Sequence, residues 1–296
     1  MFNNISLFRA IIRNINSKAM NREMIGYAIH RDYGNFSLNE IKQYVDATGD
    51  DFSKYSQSTV APPFFFSREL YPLFHQIMTH KDLKINLLKM IHGRQNLKIY
   101  EFLGLDQKFS ITMSIADILD TPAGELLLIK TEGFSNGKLI IEAETGFLVR
   151  GTEKKREEGE LKKETLASSE ESNKNEIKIL IKTKQGQEKK YAKVSKDTNP
   201  LHTNYLFARA AGFPGRILHG VCVMAMCSNS LVDELAGKDT TRMREISVRF
   251  SRPVIPGDTL TLIGHAEKKG QLNEVSFNVY SGKNKPVINS GFFSYI

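Results

Sequence analysis

Residues 152–175 carry almost nothing that a core could bury: the stretch is dense in Lys and Glu, with serines toward its end. Such a composition predicts a solvated linker, and it divides the chain into two parts of similar size. The same order of patterns runs through both. Residues 110–118, 125–131 and 138–149 alternate apolar and polar side chains before the break, and 247–255, 259–267, 274–280 and 286–296 do so after it. Period-two alternation marks strands with one buried face, and that face needs an apolar partner. In the second part Val221, Met224, Ala225, Cys227, Ser228 and Leu231 follow helical spacing and supply one. Each part therefore reads as strand, loop, central helix and three or four antiparallel strands, an α+β arrangement. Two short echoes support a repeat: Ile91-His92-Gly93 against Leu218-His219-Gly220, and the run from Tyr44 to Asp50 against that from Tyr191 to Asp197.

The chemistry sits in the second part. Asp197 and His202 are five residues apart across Asn199-Pro200. Proline fixes its own φ and pushes the preceding residue out of the helical region, so Asn199 is expected to be extended and to cap a short helix that starts at Pro200. Regular helix or strand would not aim Asp197 and His202 at one point. A strand end, a cap and one helical turn can, and an Asp and a His that converge can hold a water and move its protons.

Further along come Ala208, Ala211-Gly212-Phe213-Pro214-Gly215 and Leu218-His219-Gly220, and then the run from Val248 through Arg252-Pro253 and Pro256-Gly257-Asp258 to Leu260. Together with Ser195, Asp197, Asn199, Pro200, Leu201 and His202 these resemble the MaoC-like, or hydratase 2, family over about residues 185–296. That family comprises (R)-specific enoyl-CoA hydratases and related acyl-thioester dehydratases. The chain departs from its pattern at Lys196, where relatives usually carry glycine. If that position needs positive φ, lysine is strained there.

The resemblance implies a double hotdog, two antiparallel sheets each wrapped around a central helix. It implies reversible hydration of a trans-2-enoyl thioester to a (3R)-3-hydroxyacyl thioester. Asp197 and His202 would hold the water, Asn199 would orient them, and the backbone N–H of Gly220 would face the thioester oxygen. His219 is expected to be structural, satisfied by backbone. No cofactor is implied beyond the coenzyme A or phosphopantetheine of the substrate. Acyl-CoA is the expected partner and acyl carrier protein the alternative. A carrier-protein dehydratase and a non-catalytic acyl-thioester binder stay open as readings, as do monomer and homodimer.

The repeat is broken where the chemistry would sit. Asp50 aligns with Asp197, but Tyr55 stands in the place of His202 and Phe52-Ser53 in that of Asn199-Pro200. One working site is therefore expected, in the second half. The first would be structural and, as in double-hotdog relatives, would line an acyl tunnel with Pro62 to Phe66 and a helix through Leu70, Leu73, Phe74 and Ile77.

Composition sets further bounds. The formal net charge of +8 is spread among interleaved acids. It suits a phosphate-bearing substrate rather than a nucleic acid, with Arg209, Arg216, Arg242, Arg249 and Arg252 as candidates for a basic rim. Cys222 and Cys227, the two cysteines, read as buried thiols in a reducing compartment. The seven histidines lack metal-ligand spacing, so no metal is expected. No apolar run approaches a membrane span, so no membrane partner is expected either.

Residues 1–22 contain no acid, and Phe8, Ile11, Ile12 and Ile15 share one helical face. A mitochondrial presequence in a eukaryote, an amphipathic helix, or an extension ahead of Met20 all remain open; otherwise the expected location is the cytoplasm. The expected units are 1–22 as extension, 23–151 as a degenerate hotdog, 152–175 as linker and 176–296 as the catalytic hotdog.

Overall fold

The computed structural model describes residues 4–151 and 176–296, so the expected linker lies outside the described residues. The first half runs α1 (Asn4–Asn14), β1 (Ala28–Tyr33), α2 (Leu38–Thr48), α3 (Leu70–Met78), β2 (Met90–Ile99), β3 (Phe109–Thr121), β4 (Gly124–Ser135) and β5 (Lys138–Arg150). The second runs β6 (Glu176–Lys182), α4 (Gln187–Ser195), α5 (Pro200–Thr203), α6 (Tyr205–Ala210), α7 (Gly220–Leu235), β7 (Met243–Phe250), β8 (Thr259–Lys269), β9 (Leu272–Tyr280) and β10 (Pro286–Tyr295).

The sheet order is β1-β3-β4-β5-β2-β7-β10-β9-β8-β6. Read outward from the β2–β7 seam, both halves follow the same path, which makes the repeat topological as well as sequential. The two expected sheets are thus five-stranded halves of one continuous sheet. Each half would otherwise leave an edge of unpaired N–H and C=O groups, and antiparallel pairing from Arg94↔Arg249 to Lys98↔Glu245 satisfies them. A side-chain bond from Asn96 Nδ2 to Glu245 Oε1, 2.7 Å long, adds to the seam.

α7 is the hotdog helix of the second half. Cys222 to Ser228, Leu231 and Val232 are all buried on it, so it is enclosed rather than one-faced. Burial pushes the Cys227 thiol up to about 12 and the Cys222 thiol higher still, so both sulfurs stay protonated and pack as small apolar groups.

In the first half the shorter α3 takes the corresponding place. A Ser37–Glu40 capping box starts α2 and left-handed Gly49 (φ 73) ends it. α4 ends the same way at Lys196 (φ 59). α2 and α4 lie side by side, joined by the bond from Gln187 Nε2 to the Ala47 carbonyl at 3.0 Å.

Several expectations fail in detail. Ile91-His92-Gly93 does not open a helix; it lies in β2, because the first half places its helix before residue 79 and has already turned back into the sheet. β7 stops at Phe250, short of the expected 255, where Arg252-Pro253 removes a ladder donor. At the N-terminus Ala10 and Asn14 are the buried positions of α1, while Phe8, Ile12 and Ile15 are exposed. The face that packs is set by tertiary bonds, Arg13 to the Thr79 carbonyl and Asn86 to the Ile15 carbonyl. No helix among the described residues is long and apolar enough to cross a membrane.

Candidate active site

Asp197, Asn199 and His202 are brought together by a tight reversal. α4 ends at Ser195, so a helix terminus leads into the motif, not the expected strand end. Lys196 adopts φ 59, ψ 10, the left-handed conformation that glycine takes most freely. For a lysine this conformation costs roughly 1–2 kcal/mol. Asp197 Oδ1 then accepts the Asn199 N–H at 3.0 Å, and Asn199 Oδ1 accepts the Leu201 N–H at 3.1 Å. Asn199 is extended (φ −51, ψ 125) and caps α5, which opens on Pro200 as expected. Asn199 therefore fixes the dyad through its backbone amide and its capping oxygen.

His202 has a defined orientation. Its Nδ1 lies 2.8 Å from the Ile217 carbonyl oxygen. A carbonyl only accepts, so Nδ1 carries a proton, and in the neutral tautomer Nε2 is the ring atom with the lone pair. One oxygen of Asp197 and one ring nitrogen each of His202 and His219 lie within 4.8 Å of one another.

His219 corrects its expected role. Its ring stacks on His202 at 3.7 Å between centroids, Nε2 sits 3.8 Å from Asp197 Oδ2, and neither ring nitrogen makes a well-formed hydrogen bond. It is a wall of the site rather than a histidine satisfied by backbone. Burial, with His202 beside it, drives its pKa well below the usual imidazole range, so it is neutral.

Burial also raises the carboxyl of Asp197, while His202 and the Asn199 amide pull the other way. The same three groups bring metal-ligating atoms close together, although the two imidazole planes, in which the lone pairs lie, are only 24° from parallel.

Gly220 opens α7 directly after His219, and no side chain caps this terminus. The first N–H groups of a helix have no partner within it, and the dipole there favours a developing anion. The glycine is favoured by packing rather than by backbone angle. A Cβ at this position would lie 3.0 Å from the tip of the Phe250 ring.

Two residues of the first half reach the site without having been foreseen. The Tyr71 hydroxyl of α3 reaches Thr198, and burial together with the nearby Asp197 pushes its pKa up to about 12. His92 of β2 packs against Phe250 at 4.8 Å and Phe147 at 5.1 Å, and burial lowers it to about 4. The 91–93 echo pointed to His92 but not to its place in a strand; nothing local marked Tyr71. Behind His219 a chain of rings runs through Tyr191 and Tyr44 to Phe65, with Ser67 Oγ bonded to both tyrosine hydroxyls at 3.3 and 3.2 Å. Beyond Phe65 lies a small apolar hollow, whose lining includes Pro62, Pro63, Phe66, Ile99 and Phe109.

Of the expected rim arginines, Arg216 is held by Glu188 at 2.9 Å, and Arg242 by the Ile296 carbonyl and the Tyr295 ring. Arg252 leans on the Pro286 carbonyl at 3.3 Å. Arg209 and Arg249 are exposed.

The mirrored strand order defines a double-hotdog protein, with Asp197 and His202 sharing a pocket in its second half. The chain belongs to the MaoC-like, hydratase 2 family. Residues 34–151 match the MFE-2 hydratase 2 N-terminal domain and residues 167–284 the MaoC like domain.

The 3-hydroxyacyl-thioester dehydratase Y of Mycobacterium tuberculosis is 32% identical over 184 residues, covering 60% of this chain and 62% of that protein. The peroxisomal multifunctional enzyme type 2 of Mus musculus is 32% identical over 181 residues, 60% of this chain and 24% of that protein. The matched region thus spans less than two thirds of either relative. Among solved structures, the full-length peroxisomal multifunctional enzyme type 2 of Drosophila melanogaster superposes with TM-score 0.71 at 25% identity, over 91% of this chain and 48% of that one. A MaoC-like dehydratase from Phytophthora capsici gives 0.72 at 21% identity, over 93% and 98%, and supports the fold.

Proposed function

We propose that this protein hydrates a trans-2-enoyl-CoA reversibly to the (3R)-3-hydroxyacyl-CoA. The observation that carries the proposal is the fixed tautomer of His202, whose basic Nε2 shares a pocket with Asp197 beside the open N-terminus of α7. Water held by the two attacks C3, and its proton passes to His202 Nε2. The C2–C3 π electrons move to the thioester oxygen, where the Gly220 N–H and the helix dipole stabilise the enolate. Asp197, whose raised pKa favours a shared proton, delivers one to C2 and regains it from His202. The two groups titrate as a unit. The thioester itself acidifies C2, so the reaction requires no cofactor.

The acyl chain is assigned to the first half, toward the Phe65–Phe66 hollow, and coenzyme A to the exposed side near Arg209. A carrier-protein dehydratase is the second reading. It is favoured by relatives named fatty acid synthase β subunits, one of them 39% identical over 72 residues.

The test is loss of the conjugated enoyl-thioester absorbance with crotonyl-CoA and with a longer 2-enoyl-CoA, followed by chiral analysis. Formation of the (3R) product supports the proposal. An unchanged band with both, alongside turnover of the acyl-carrier thioester, would shift it to the second reading. Activity with neither carrier would sink both.

A further inference from the structure

Asp197 is flanked by two contacts to the first half. On one side, Lys196 Nζ lies 2.7 and 2.6 Å from the two carboxylate oxygens of Glu69. Glu69 is buried, stands at the start of α3, and is met from the other direction by Arg68 Nε at 3.3 Å. On the other side, Tyr71, two residues along the same helix, reaches Thr198. The residue before Asp197 is thus held by the N-terminal end of α3, and the residue after it lies beside the same end.

The held residue is also the strained one. Lys196 occupies the left-handed region at φ 59, which a non-glycine residue abandons unless its surroundings over-determine it. Leaving that region would rotate the peptide that leads into Asp197. The bidentate carboxylate on Nζ fixes the far end of the same side chain, so backbone and side chain are pinned together. The ion pair also turns the ammonium toward Glu69, which leaves Asp197 with imidazoles rather than a cation as neighbours.

We propose that Glu69, through Lys196, is a positioning residue: the ion pair holds the left-handed turn that aims the Asp197 carboxylate. This replaces a device built from glycine with one built from a contact between the halves. The inference rests on Asp197 acting in the proposed reaction, but its geometric part is testable without any substrate.

The experiment is a cycle of Glu69→Gln, Lys196→Gly and the double variant. Glycine takes positive φ freely and so should not depend on Glu69. With lysine present, Glu69→Gln should lower kcat by roughly 30-fold and leave KM nearly unchanged, the signature of a misaimed group. Lys196→Gly should stay within about threefold of the parent, and the double variant should match it.

The substrate-free readout is hydrogen exchange at the Asn199 amide, which donates to Asp197 Oδ1. Its protection should fall in Glu69→Gln and return in the double variant. An equal loss of kcat from Glu69→Gln in the lysine and glycine backgrounds would overturn the proposal, as would Asn199 protection unchanged across the cycle. A parent protein without turnover, combined with the expected exchange pattern, would count against the hydratase reading and leave the positioning role standing.

Discussion

The loops after α2 and α4 share a backbone and differ in what surrounds the aspartate. Each follows a helix that ends in a left-handed residue, Gly49 at φ 73 and Lys196 at φ 59, and each places an Asp next. Asp50 is closed off. Its side chain is 2% exposed, pairs with Lys54 at 2.5 Å and accepts a bond from the Tyr55 hydroxyl at 2.8 Å. Lys54 reaches on to Asp233 at the far end of α7. Asp197 is 24% exposed on its side chain, and its titratable neighbours are His202 and His219 rather than a cation. One fold thus made two carboxylate sites from one loop. In the first, an added lysine and a tyrosine turned the carboxylate into a strut between the halves. In the second, two imidazoles and a helix terminus surround the carboxylate in place of a cation.

The comparison is broken most severely by removing either member of the open pair. Asp197→Asn or His202→Ala should lower kcat with enoyl-CoA by at least about 10³-fold while leaving thermal unfolding within a few degrees of the parent. Turnover close to the parent in either variant would refute the dyad.

The same change at the closed site should act on stability. Asp50→Asn strips Lys54 of one of its two anions. Breaking a buried pair typically costs about 3–5 kcal/mol, and the remaining Asp233 contact should reduce that to on the order of 2 kcal/mol in urea unfolding. Its kcat should stay within about twofold.

A smaller effect sharpens how the first half serves the site. The aromatic box around His92 keeps it neutral. Below about pH 6.5 the unfolded chain accepts a proton that the folded protein refuses until about pH 4. Stability therefore falls as pH drops through this window. Between about pH 7 and pH 5 the parent should lose on the order of 2 kcal/mol more than His92→Phe, which keeps the ring but not the titration.

Tyr55→Phe should have the least consequence. It removes one hydrogen bond to Asp50, about 1 kcal/mol, and should leave the kinetic constants unmoved, in contrast to the loss expected of His202→Ala.

Much of this was legible in the chain. Strand alternation within 110–149 and 259–296 showed where the sheet would form, because period two follows from the pleat itself. Asn199-Pro200 marked the cap and the bend, because proline restricts both its own φ and its neighbour's conformation. The substitution of Tyr55 for His202's counterpart marked the half in which the aspartate lacks a histidine partner. Local chemistry leaves such marks at fixed spacing.

What the sequence determined by itself was therefore the class of elements, the repeat, and the trio of Asp197, Asn199 and His202. The tertiary structure alone decided that the two halves fuse into one sheet along β2 and β7, that His219 stacks on the dyad, and that Tyr71, His92 and Glu69 arrive from more than a hundred residues away. It also decided that a lysine stands in a left-handed turn that favours glycine, because its partner Glu69 lies 127 positions distant. The physical reason is common to all of these. Caps, turns and alternation act over a few residues and leave a periodic trace, whereas burial, ring stacking and ion pairing depend on distance in space, which no spacing along the chain encodes.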